Sequence, residues 1–170
     1  MPRQNRLEIT KTEKNSLVYW TRFASPLKVT RNYLTIWLTK ACPSLRLKNF
    51  LLKGTGIKIG KYTRIGLDVQ FDVFFPELIE IGKNTIIGYN TTILAHEFLI
   101  KEFRKGKVKI GDNVLIGANC TILPGIEIGD NSVISAMTLV NKDVPANCFA
   151  GGVPVRVIKR IRNKYLKSDN

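Results

Sequence analysis

His96 is the only histidine in this 170-residue chain and the side chain best suited to moving a proton near neutral pH. An imidazole can take the proton from an attacking alcohol and pass it to the departing group, which is general base and then general acid catalysis without a covalent intermediate. Glu97 and Glu102 are near enough in sequence to accept the ring's second N–H, and they fit equally well as ordinary loop charges. A zinc site built on three histidines is excluded by the histidine count. Cys42, Cys120 and Cys148 are odd in number and lack metal-ligand spacing, so they read as reduced thiols in a cytoplasmic protein with no metal.

The elements that must hold His96 announce themselves by period. Ile110, Ile116, Ile122, Ile128, Ile134 and Val140 fall six apart, and Gly111, Gly117 and Gly129 follow three of them. A helix repeats its inward face every 3.6 residues and a strand every 2, so a six-residue repeat calls for a short strand, a turn and another strand facing the same axis. That is a hexapeptide β-helix. Val114, Cys120, Ile126, Ser132, Thr138 and Val144, four places after each aliphatic residue, suit the rest of a narrow interior. Asn113, Asn119 and Asn131 occupy the turn place between them, where Asn tolerates left-handed backbone.

The pattern recurs upstream at Ile81, Ile87 and Ile93, with Asn84 and Asn90, and more loosely at Ile59, Ile65 and Phe71. Its phase slips twice, over Asp72 to Glu80 and over His96 to Lys109, so both stretches should be loops leaving the coil. By this count His96 takes the outward corner held elsewhere by Asn. The plain alternative to a catalytic role is a further turn residue.

Charge divides the chain. Residues 1–56 carry +9, residues 57–152 carry 0 and residues 153–170 carry +5, within a net charge of +14. Positive charge confined to the two appendages points to anionic partners there, and the neutral body argues against nucleic acid. Residues 1–25 read as a basic, flexible N-terminus; 26–56 as an amphipathic helical extension; 57–152 as the coil, with a loop near 97–108; and 153–170 as a basic tail or helix. In 26–56, Leu27, Tyr33, Leu34, Trp37, Leu38 and Ala41 can share one side of a helix, with Lys28, Arg31, Thr35 and Lys40 mostly opposite. Such a helix either caps the open first turn of the coil or lies on an anionic membrane surface, which would place the protein in the cytoplasm or peripherally at the inner membrane.

Ile110 to Asn119, Ile122-Leu123-Pro124-Gly125, Val140-Asn141-Lys142-Asp143-Val144-Pro145 and Gly151-Gly152-Val153-Pro154-Val155-Arg156-Val157-Ile158 together resemble the C-terminal half of galactoside and maltose O-acetyltransferases. The motifs span about residues 79 to 160. The resemblance implies an all-β core wound as a left-handed parallel β-helix, a homotrimer, and acetyl-CoA held in a groove between neighbouring subunits. It implies that His96 is the general base for acetyl transfer to a hydroxyl of a saccharide or saccharide-containing acceptor. By motif position it assigns Ala118 and Ala136 to backbone contacts with the cofactor's thioester and pantetheine arm. It also assigns Asn141, Lys142, Arg156 and Lys159 to the nucleotide phosphates. For the acceptor, Asn90, Asp72 and Phe75 are the candidates; the Phe74-Phe75 pair could stack on a sugar, touch a lipid, or plug its loop against the coil. The competing reading is a non-catalytic coil tethered to a membrane or partner by its basic ends. That reading accounts for the charge but not for the coincidence of His96, the loop and the tail motif.

Overall fold

In a computed structural model that describes residues 3–161, the six-residue repeat becomes a three-sided parallel β-helix. One face stacks the strands Lys58–Ile59, Ile79–Ile81, Val108–Ile110 and Glu127–Ile128. The second stacks Arg64–Ile65, Ile86–Ile87, Leu115–Ile116, Val133–Ile134 and Cys148–Gly151, closed by the antiparallel strand Arg156–Arg160. The third stacks Gln70–Phe71, Thr92–Ile93, Thr121–Ile122 and Leu139–Val140. Equivalent residues pair directly, as in Ile81 with Ile110 and Ile110 with Ile128, so the aliphatic side chains line the axis in columns. Ile87, Ile93, Ile116 and Ile122 are all completely buried, each worth about 2 kcal/mol of apolar transfer energy.

The corners are made as their residue types require. Asn84, Asn90, Asn113, Asn119 and Asn131 all adopt φ between 52° and 58°. Side-chain ladders tie successive turns, as in Asn90 to Asn119 at 2.8 Å. Gly117 is needed for space, because a Cβ there would come within 2.4 Å of the Ala136 backbone nitrogen.

Each turn donates its N–H groups to the carbonyls of the next, for example Gly82 N to Ile110 O, so the carbonyls of the first turn have no strand before them. Two helices, Pro26–Lys40 and Leu45–Gly54, cover that end. Lys48 Nζ donates to Gly66 O at 2.8 Å, and Asn49 Nδ2 donates to Thr63 O at 2.8 Å beside the Arg64 guanidinium, so these first-turn carbonyls are satisfied from the cap. Lys48 is 1% exposed, and burial lowers its pKa from the ordinary lysine value.

A full turn is 18 residues from Ile110 to Ile128, but 22 from Ile59 to Ile81 and 29 from Ile81 to Ile110. The extra residues leave the prism at the same corner on consecutive turns, just after Phe71 and just after Ile93, which are paired neighbours on the third face. The first insertion is a loop ending in the turn Pro76–Leu78. The second is a hairpin of His96–Phe98 and Glu102–Lys105 rather than an irregular loop.

The N-terminus departs from the flexible arm expected of it. Glu8–Lys11 adds as a third strand to the hairpin, pairing with Glu102–Lys105, and Trp20–Phe23 forms a helical turn against it. Arg3 pairs with Glu97 at 2.7 Å, and Arg6 pairs with Asp143. A hairpin edge offers unpaired backbone groups, and the incoming strand satisfies them. In the tail, 153–161 is a turn and a strand with no helix, and the remainder of the expected 153–170 tail lies outside the described residues.

Candidate active site

His96 opens the hairpin strand and does not occupy a left-handed corner, because the insertion begins before the Asn-type turn is reached. Its Nδ1 lies 2.5 Å from Asp72 Oδ2, across the two stacked insertions. Asp72 is almost wholly buried, and three backbone N–H groups also converge on it: Ala95 at 2.7 Å on Oδ2, and Phe74 and Phe75 at 2.9 Å on Oδ1. Burial by itself would raise the carboxyl's pKa. The hydrogen bond from His96, the imidazole's charge and the N–H groups of Phe75 and Ala95 outweigh it, so the pKa falls below the usual carboxylate value. An ionised Asp72 accepts from Nδ1–H, which fixes the tautomer and leaves Nε2 outside that bond.

The ring sits in an aromatic box. Phe74 and Phe98 each place a centroid 4.8 Å from it, Phe75 lies at 5.7 Å and Phe103 at 6.1 Å. The N-terminal segment forms the outer wall, with Trp20 edge-on to Phe74 at 5.9 Å and Phe23 stacked on Phe103 at 4.1 Å. The His96 side chain keeps 13% of its surface, so it lies outside the prism and opens to solvent along one edge. Low-dielectric walls strengthen the Asp72–His96 hydrogen bond.

Several candidate residues take other roles. Asp72, read from sequence as an acceptor contact, has both oxygens engaged and none of its side-chain surface open, so it orients His96 instead. Phe75 is 7% exposed and plugs its loop against the core, with Lys28 and Lys105 above its ring; Phe74 is the aromatic neighbour closer to His96. Glu97 is held by Arg3 and Glu102 by Arg104, so neither carboxylate supports the imidazole.

The remaining candidates divide between two edges. Asn90, Ala118 and Ala136 stack along the corner between the second and third faces, where Ala118 O accepts from Met137 N and Tyr89 O from Asn119 N. His96, Asn141 and Lys142 lie along the corner between the third and first faces. Arg156 and Lys159 are exposed on the final strand. Among the described residues, the buried Asn141 Oδ1 has no hydrogen-bond partner, which leaves an acceptor at a position assigned to ligand. One chain therefore holds His96 and the small-residue edge on opposite sides of its third face.

The partner of His96 carried a signal in the sequence that hexad counting alone passes over. Both phase slips follow a third-face strand, so counting in whole turns pairs Phe71 with Ile93 and starts the two insertions level, with Asp72 one residue and His96 three residues beyond that pair. The N-terminal wall has no repeat and carried no such signal.

Residues 107–140 match the family model described as a hexapeptide repeat of succinyl-transferase. A Bacillus subtilis (strain 168) protein named "Putative acetyltransferase YvoF" is 53% identical over 145 residues, covering 85% of this chain and 84% of its own. The galactoside O-acetyltransferase of Escherichia coli (strain K12) is 39% identical over 120 residues, covering 65% of this chain and 57% of its own. The solved structure of a galactoside acetyltransferase in complex with coenzyme A superposes with a TM-score of 0.63 at 25% identity, covering 99% of this chain and 97% of that one. A likeness this long to the Bacillus protein, carried on a coil with the same six-residue build, means that the chain belongs to the hexapeptide-repeat acetyltransferases.

Proposed function

We propose that the protein transfers an acetyl group from acetyl-CoA to a hydroxyl of a saccharide or saccharide-containing acceptor, with His96 as general base. The observation that carries this is the buried Asp72 carboxylate 2.5 Å from His96 Nδ1. A coil serving only as a scaffold has no use for an ionised carboxylate sealed behind one imidazole, since burying that charge costs free energy that its partners must offset.

His96 Nε2 takes the proton of the acceptor hydroxyl as its oxygen attacks the thioester carbonyl carbon. A C–O bond forms, the C–S bond breaks, and His96 returns the proton to the departing sulfur. Asp72 holds the ring in the productive tautomer and stabilises the transient imidazolium. The Ala118 N–H would donate to the carbonyl oxygen as it gains charge, with Ala136 along the pantetheine arm. Asn141, Lys142, Arg156 and Lys159 would meet the nucleotide phosphates.

Because His96 and Ala118 sit at different edges of one subunit, this assignment needs a neighbour's edge to complete the site, in a homotrimer with the cofactor in each intersubunit furrow. The coil sense is left-handed on this reading, as in the family. Asn90 would reach the acceptor from the neighbour's edge, with Phe74 stacking on a sugar face. The galactoside name of two relatives supports a saccharide acceptor.

The test is thiol release from acetyl-CoA across a panel of sugars, oligosaccharides and lipid-linked saccharides, comparing the native protein with His96→Ala. Acceptor-dependent release that vanishes in the variant supports the reading. Release that persists removes it.

A further inference from the structure

The helix Pro26–Lys40 turns more of its apolar side chains outward than inward. Its fully buried residues are Asn32, Ile36 and Thr39, with Val29 partly buried beside them against the core. Leu27, Tyr33, Leu34, Trp37 and Leu38 point away from the coil, 54% to 84% exposed. An amphipathic helix on a globular protein normally spends its apolar stripe on the core. Here the coil end is already capped by the buried Ile36 and Leu52 and by hydrogen bonds from Lys48 and Asn49, and the outer stripe is left over. Phe50 of the following helix, 73% exposed, shares a shallow depression with Arg31 and Thr35 and carries the apolar surface onward.

The charge carried by the two helices themselves has one sign. Residues 26–54 contain Lys28, Arg31, Lys40, Arg46, Lys48 and Lys53 and no Asp or Glu. Lys48 is buried and Lys28 is paired with Glu77, which leaves Arg31, Lys40, Arg46 and Lys53 at the rim. A second copy of the chain meeting this face with its own would oppose like charges. The stripe is a convex ridge on a single helix, which a bilayer accepts without a matching cleft. Tyr33 and Trp37 have the apolar body and polar tip that suit the headgroup boundary.

We propose that the two-helix face of residues 26–54 docks flat on an anionic membrane surface, its apolar ridge in the headgroup boundary and its Lys/Arg rim on lipid phosphates. It lies on the bilayer rather than through it, since among the described residues no helix is long and apolar enough to cross. The docking helix is also joined to the loop that carries Asp72: Asn32 Nδ2 donates to Val73 O at 3.0 Å, and Lys28 Nζ meets Glu77 at 2.6 Å. Membrane surface and acyl-transfer site therefore share one end of the molecule.

Flotation of the full-length protein with phosphatidylcholine vesicles, with and without phosphatidylglycerol, tests this independently of catalysis. Binding should be at least about ten-fold stronger with phosphatidylglycerol and should weaken as salt rises. Leu34→Ser/Trp37→Ser should lose about ten-fold, and Arg31→Gln/Arg46→Gln/Lys53→Gln about a hundred-fold, at roughly five-fold per charge, with unfolding midpoints unchanged. Absence of binding to phosphatidylglycerol vesicles, equal binding to neutral ones, or binding unaffected by both variants overturns the proposal. So does a loss of oligomer mass in Leu34→Ser/Trp37→Ser without any vesicle binding, which would assign the ridge to a second copy.

Discussion

Asp72 and His96 are 24 residues apart in sequence and 2.5 Å apart in space, because two insertions of different length leave the coil at the same corner on consecutive turns. The shorter insertion brings the carboxylate and the longer one the imidazole. Neither would be held in place by the hexad pattern alone.

His96→Ala should lower turnover by roughly 10² to 10⁴, because proton transfer is lost while the cofactor groove is untouched. Acetyl-CoA affinity, measured by calorimetry on the variant, should stay within about two-fold, a change under half a kcal/mol.

Asp72→Asn replaces an acceptor with an amide that cannot accept from all four donors around it. Turnover should drop by about 10² or more through loss of the ring's tautomer and orientation. The KM for acetyl-CoA should barely change, a split that steady-state kinetics with varied cofactor would show.

The same residue sets a pH dependence of stability. The folded pKa of Asp72 lies below its unfolded value, so the stabilisation is fully present above the unfolded value of about 3.9 and is lost as pH falls through the folded one. The gap in unfolding midpoint between native protein and Asp72→Asn should hold steady from neutral pH down to about 4 and narrow below it.

Lys142→Ala and Arg156→Ala should raise the KM for acetyl-CoA without lowering kcat, and more so at low ionic strength, since each would remove a screened charge from the nucleotide phosphates. Equal effects on desphospho and intact cofactor would argue against phosphate contacts at either position.

Removing residues 1–12 takes away the strand Glu8–Lys11 and the pairings of Arg3 with Glu97 and of Arg6 with Asp143. Backbone amides of Glu102–Lys105 should then exchange faster by hydrogen-exchange mass spectrometry, while those of Leu115–Ile116 on the second face stay protected.

The coil could be read from the chain because the period is local: each Ile-Gly hexad states its own strand and corner, and Asn84 through Asn131 mark the turns by backbone preference alone. The two excursions and the lone imidazole were legible for the same reason, as breaks in a repeat. What the period could not convey is how the breaks meet. Whether Asp72 faces an acceptor or His96 depends on the stacking of one turn on another, and Asp72 proves fully enclosed. The same limit held for the N-terminal residues, whose strand pairs with a partner more than ninety positions away, and for the helix Pro26–Lys40. Its sequence specifies an apolar side but not a direction for it. Only packing decided that Asn32, Ile36 and Thr39 turn inward and Leu34 and Trp37 outward, because the end of the coil offers a small apolar floor, covered by Ile36 and Leu52, together with carbonyls to be hydrogen-bonded.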